Sequence, residues 1–135
     1  MKRILALYIA VPILSFLSLA PTLLAHHSTG AVYDLGTQTE LKGAVTSVAW
    51  LNPHASFLFT STDQSTWEIE LSSPNSLQQE GWTRDTLRKG DTVTIVFYPA
   101  KDGSHKGSVI AITFPDGRTM KINDHWMGIA GLPKQ

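Results

Sequence analysis

Two adjacent histidines, His26 and His27, are the residues of this chain with the strongest potential to bind a metal. They directly follow an apolar N-terminal segment that ends at Ala25. Cleavage after Ala25 would make His26 the first residue, with a free α-amine and an imidazole beside the imidazole of His27. These groups lose their protons at about pH 8 and about pH 6.5. Three nitrogen donors of this kind favour Cu(II) among the divalent metals.

A third histidine, His54, is our candidate for a distant ligand of the same ion. It follows Asn52 and Pro53 in a predicted loop between two strands, where a rigid framework can hold it. The arrangement resembles the histidine brace of lytic polysaccharide monooxygenases and of some exported copper carriers. In the alternative interpretation, His26 and His27 form a solvated chain end and His54 bonds the backbone of its own turn.

The segment before the histidines has the three parts of a secretory signal peptide. Lys2 and Arg3 form the positive start, residues 4–19 are mostly apolar, and Ala25 is the small residue at the cleavage site. A retained membrane anchor is the alternative, but the apolar run is short for a bilayer, which needs roughly 20 residues. We therefore expect a periplasmic or secreted protein that has no membrane attachment once the signal peptide is removed.

The composition limits the class of protein. The chain has 135 residues and no cysteine, so the fold must be held by its core and not by disulfides. About 110 residues remain after cleavage, enough for one domain. Without Lys2 and Arg3, nine basic residues face eleven acidic ones. This balance lacks the basic surface that nucleic-acid binding requires, so no nucleic-acid partner is expected.

The remaining sequence is typical of short strands separated by turns. The clearest strand has Trp67, Ile69 and Leu71 alternating with Glu68 and Glu70, which predicts one buried face and one wet face. We interpret the two glutamates as exposed residues that favour solubility. Strands are predicted at residues 41–50, 56–61, 66–72, 92–98, 108–114 and 118–122.

A short helix interrupts this series of strands. Ser73 is a predicted N-cap, Pro74 suits the first helical position and Gly81 a stop, which predicts a helix over residues 74–80. Gly43 predicts a bulge or sharp bend in a long first strand. The order of elements indicates an all-β fold with one short helix, a five- to six-stranded OB-like barrel. An open sandwich or a split barrel of other topology is the alternative.

The predicted organisation has four parts. They are a secretory signal peptide over residues 1–25, an N-terminal arm over 26–38, the β-barrel domain over 39–122 and a C-terminal tail over 123–135.

Aromatic residues suggest a second kind of site. OB-type barrels often bind extended ligands across their second and third strands. Trp50, Asn52 and Trp82 are our candidates for such a ligand-binding face. The alternative is that the tryptophans belong to the core.

Several short motifs occur in a fixed order. They include His26-His27-Ser28, Trp50-Leu51-Asn52-Pro53-His54, Gly81-Trp82-Thr83-Arg84 and Pro115-Asp116-Gly117-Arg118. The ordered set resembles a family of small exported bacterial proteins that is known only as a domain of unknown function. The resemblance implies a shared fold and export, and it implies no reaction.

The sequence therefore predicts an exported binding module and not an enzyme. The first hypothesis is copper binding through His26, His27 and His54, in the service of metal handling in the periplasm. The second is a metal-independent module for a small molecule, a glycan or a protein. A metal-dependent oxidase built on the same histidines is a third hypothesis.

Overall fold

The computed structural model describes residues 29–122. The predicted signal peptide, His26, His27 and the predicted C-terminal tail lie outside these residues. The helices are α1 (Thr29–Val32) and α2 (Pro74–Gln79). The strands are β1 (Thr39–Ala49), β2 (Ser56–Ser61), β3 (Thr66–Glu70), β4 (Thr92–Pro99), β5 (Lys106–Thr113) and β6 (Thr119–Lys121).

The strands form one sheet in the order β3-β2-β1-β4-β5-β6. Each neighbouring pair in this order is antiparallel. A parallel pairing between β3 and β5 closes five of the strands into a barrel, while β6 extends the sheet beyond β5. The helix α2 connects β3 to β4. This connectivity confirms the prediction of a small all-β, OB-like barrel.

Most element boundaries follow from the local sequence. The helix α2 begins after Ser73, whose hydroxyl accepts a hydrogen bond from the Ser76 amide at 3.2 Å. The strand β5 differs, because it begins at Lys106, two residues before the predicted start. Its first residues pair with β3, from Lys106 beside Glu68 to Ser108 beside Glu70. A parallel partner distant in sequence leaves no local signal, so the alternation pattern could not show this extension.

Gly43 marks a close approach of two strands. The bulge that we expected there lies further along β1, where the register against β2 shifts between Val45 and Ser47. A Cβ atom built on Gly43 would lie 2.1 Å from the carbonyl oxygen of Thr60. A side chain of any size at this position would therefore push β1 away from β2.

The core fills the interior of the barrel. It contains Phe57, Phe59, Ile69 and Phe97, all at most 1% exposed, and the segment after α2 adds Trp82. The full cluster also includes Val45, Ala55, Leu71, Leu77, Leu87, Val93, Ile95, Val109, Ile112, Phe114 and Ile122. Within residues 29–122, no helix is both long and apolar enough to span a bilayer.

Residues 29–38 of the N-terminal arm pack on the outside of this barrel. Tyr33 forms a second buried cluster with Tyr98 and Ala100. The Asp34 amide donates to the Pro99 carbonyl at 2.9 Å, and the Lys101 amide donates to the Val32 carbonyl at 3.0 Å. The described part of the arm is thus held by backbone hydrogen bonds to the end of β4 and the turn after it.

We expect Gly43→Ala to lower the free energy of unfolding by about 3 kcal/mol, because the new methyl group overlaps the backbone of β2. Urea unfolding followed by tryptophan fluorescence measures this loss. Gly36→Ala is the control. Its added Cβ would come no closer than 3.4 Å to the Asp34 carboxylate, so a change below about 0.5 kcal/mol is expected. Equal stability of the two variants would contradict the close approach at Gly43.

Candidate functional site

A cleft of about 220 Å³ opens on the outer surface of the barrel. It lies where the loop between β1 and β2 faces the outer side of β3, the start of β5 and the N-terminal arm. The cleft is lined by Tyr33, Pro53, His54, Ala55, Ser56, Glu68, Glu70 and Lys106. In OB-type barrels the loops around this region commonly contact ligands.

His54 lies at the rim of this cleft, with a side chain that is 41% exposed. Its Nδ1 atom contacts the Oε1 atom of Glu70. A carboxylate at Nδ1 fixes the orientation of an imidazole ring, and it directs the other nitrogen, Nε2, away from the carboxylate. His54 is therefore bonded to a strand of the barrel, and its orientation does not depend on its own loop alone.

Glu70 also contacts the N-terminal arm. Its second oxygen, Oε2, accepts a hydrogen bond from the Tyr33 hydroxyl at 2.7 Å. Tyr33 is only 6% exposed. Burial first, and then the hydrogen bond to Glu70, raise the pKa of the Tyr33 phenol well above its usual value. The phenol therefore stays neutral and donates a hydrogen bond to the carboxylate.

The other carboxylate of the cleft has a different partner. Glu68 lies within 3.0 Å of the Lys106 ammonium, and the two residues are direct neighbours in the parallel pairing of β3 with β5. The hydrogen bond to Glu68 raises the pKa of Lys106, so this ammonium remains charged. With two carboxylates and one ammonium, the cleft favours a positively charged ligand when His54 is neutral.

Sequence reasoning missed most of this site. We interpreted Glu68 and Glu70 only as exposed residues that favour solubility. Glu68 is exposed and Glu70 is partly buried, and both also line the cleft with distinct partners. Tyr33 and Lys106 were not candidates. The available signal was the spacing of the two glutamates, which places both on the face of β3 opposite the core. The sequence did not show that β5 and the arm border this face.

The residues of the predicted aromatic face lie in different environments. Trp50 is half-buried and packs against the core, whereas Asn52 is exposed. Trp82 is only 2% exposed and belongs to the core cluster, so it offers little surface to a ligand. The cleft beside His54 is lined by other residues. A ligand-binding role for Trp50, Asn52 and Trp82 stays a prediction.

The three-histidine metal site also stays a prediction. Across residues 29–122, no group of three or more His, Cys, Asp or Glu side chains is placed to hold a metal ion. His54 would need ligands from His26 and His27, which lie outside that range. The structure therefore describes one of the three proposed ligands, together with the carboxylate that orients it.

The buried phenol of Tyr33 leads to a prediction about alkaline pH. Its pKa is raised in the folded state, so the neutral phenol stabilises the fold below about pH 10. This contribution is lost as the pH rises through the folded-state pKa. We expect Tyr33→Phe to remove a late-ionising tyrosine from an ultraviolet titration, and to flatten the alkaline fall in unfolding free energy.

Tyr98→Phe is the control for this titration, because Tyr98 is also buried in the cluster beneath the arm. The late ionisation should persist in that variant. Its persistence in Tyr33→Phe would instead contradict the assignment to Tyr33.

Comparison with known proteins agrees with the predicted membership of a family of unknown function. A family model described as a family of unknown function, DUF6152, matches residues 14–109. Neither a curated protein nor a solved structure matches the chain. The family match covers well over half of the sequence and includes every residue that lines the cleft. The chain therefore belongs to DUF6152, a family of unknown function.

Proposed function

We propose that this protein is an exported binding module that holds a transition metal, Cu(II) by preference, through His26, His27 and His54. Its role would be metal handling in the periplasm. One observation carries the proposal: the His54 ring is held through Nδ1 by Glu70, in a cleft whose wall also includes Tyr33 of the N-terminal arm.

The contact between His54 and Glu70 is the arrangement that metal-binding histidines commonly have. Such a histidine usually gives its second ring nitrogen to a carboxylate, which fixes the ring and raises its basicity as a ligand. In this chain Glu70 is the carboxylate at Nδ1 of His54, so Nε2 is the atom that would bind the metal. An orientation fixed before binding reduces the ordering cost of capturing an ion.

The N-terminal arm connects the other two proposed ligands to the same cleft. Tyr33 lines the cleft, and the α1 helix precedes it directly. A helix rises by about 1.5 Å per residue and extended chain by at most about 3.6 Å, so His26 can lie no more than about 17 Å from Tyr33. This distance lets the arm fold back toward His54.

The charge of the cleft supports a cation as the ligand. Glu68 and Glu70 outnumber the single ammonium of Lys106, and a neutral His54 adds no charge. Among divalent first-row metals, nitrogen sites bind copper most tightly. An amine and imidazoles are the donors that Cu(II) accepts in tetragonal geometry.

A second candidate function is the binding of a small polar molecule without metal. The polar groups along the cleft favour it, since Ser56 and Lys106 are placed beside the carboxylates. Amide chemical shifts of the metal-free protein, recorded with a panel of neutral and amino sugars, test this candidate. Saturable shifts at the cleft residues would support it.

We expect the processed protein to bind Cu(II) more tightly than a version with one extra N-terminal alanine, because the extension converts the amine ligand into an amide. His54→Ala should weaken binding by at least about tenfold, since loss of an outer partner alone costs roughly 10- to 100-fold. Titration against a competing chelator, with the visible and electron paramagnetic resonance spectra, measures both effects.

His105→Ala is the matched control for His54→Ala. His105 is also an exposed histidine, but its ring stacks on Trp67 at 4.6 Å between centroids, and it does not line the cleft. Its removal should leave copper affinity unchanged. Mass spectrometry of the exported protein establishes whether His26 is the first residue. Equal affinity of the processed and extended proteins would exclude the amine as a ligand and end the proposal.

A further inference from the structure

The side chain of Glu70 joins two segments that are far apart in the sequence. Its Oε1 atom contacts Nδ1 of His54, and its Oε2 atom accepts the hydrogen bond from Tyr33, which precedes it by 37 residues. Both oxygens of one carboxylate are therefore used, each by a different segment. A change in one contact moves the carboxylate and so affects the other.

The ring of Tyr33 and the backbone beside it are held against the barrel. Its ring is buried with Tyr98 and Ala100, and the following amide, that of Asp34, bonds to Pro99. The Lys101 ammonium also donates to the carbonyl of Gly30 at 2.5 Å. The hydroxyl of Tyr33 thus connects an ordered part of the arm to the carboxylate that orients His54.

The neighbouring glutamate provides a natural comparison. Glu68 lies on the same strand and the same face, but it pairs with Lys106. Glu70, by contrast, contacts both His54 and Tyr33. If charge in the cleft were the only requirement, the two glutamates would contribute alike. If orientation matters, their contributions differ.

We infer that Glu70 is a positioning residue of the metal site, and that it couples docking of the N-terminal arm to metal capture by His54. This inference rests on the proposed function and adds two residues, Glu70 and Tyr33, that do not bind the ion themselves. Coupling of this kind is reciprocal, so the docked arm strengthens metal binding and the bound metal stabilises arm docking.

The test measures Cu(II) affinity and the electron paramagnetic resonance spectrum for the processed protein and three variants. Glu70→Gln should weaken binding roughly 10- to 100-fold and change the spectrum, because His54 loses its orienting carboxylate. Tyr33→Phe should weaken binding at least about 5-fold, although its phenol is not a ligand. Glu68→Gln removes one negative charge from the cleft but keeps the contact between Glu70 and His54, so it should weaken binding less than Glu70→Gln and leave the spectrum unchanged.

The double variant Tyr33→Phe with Glu70→Gln gives a sharper measure of coupling. Tyr33→Phe removes the hydrogen bond between the two residues, and Glu70→Gln replaces its charged acceptor with a neutral amide. Because both changes act on the same contact, the combined loss of affinity should be smaller than the product of the single losses. If the loss of affinity in the double variant equals the product of the two single losses, the coupling is overturned. Equal losses for Glu70→Gln and Glu68→Gln, with unchanged spectra in both, would overturn the positioning role of Glu70.

A measurement without metal separates this inference from the proposed function. Hydrogen exchange at the Asp34 amide reports docking of the arm, because that amide bonds to Pro99. Glu70→Gln should accelerate this exchange in the metal-free protein, and Glu68→Gln should not. If copper fails to bind but this difference appears, the proposed function is wrong and the link through Glu70 stands. If copper binds and this difference is absent, the link is wrong and the metal site stands.

Discussion

The parallel pairing of β3 with β5 is the contact on which the rest of the structure depends. It is the one parallel pair among the strands of residues 29–122, and it joins β3, at one end of an otherwise antiparallel series, to β5, the last strand but one. Closure removes two sheet edges that would otherwise be exposed. It encloses Ile69, Phe97 and Val109 in one interior, and on the outside it sets Glu68 beside Lys106. The core and the cleft thus arise from the same pairing.

The outer face of β3 shows how neighbours decide the role of a residue. Glu68 and Glu70 are the same residue type, two positions apart, on one face of one strand. Glu68 faces an ammonium across the parallel pairing, whereas Glu70 contacts an imidazole and a buried phenol. The strand determines only which face of the sheet the two side chains occupy. The loop, the arm and β5 then give each carboxylate its own partner.

The N-terminal arm connects the fold to the proposed chemistry. The barrel holds Tyr33 and the backbone around it, so the segment leading to His26 and His27 starts from a fixed point on the cleft wall. A metal site shared between a chain end and a barrel loop needs such an anchor, because ordering a flexible end costs conformational entropy. Because Tyr33 already packs on the barrel, part of this loss of entropy has occurred before any ion binds.

Local patterns in the sequence determined the strands, the short helix and the barrel class. The alternation around Ile69 and the start signal at Ser73 and Pro74 act within a few residues, so one sequence is enough to read them. The strand order then limited the topology to a small closed barrel. The cleft required the tertiary structure, because Tyr33, His54 and Glu70 come from the arm, the loop before β2 and β3, and they meet only where these segments pack together. Backbone periodicity is encoded locally, whereas contacts between distant segments depend on how the whole chain packs.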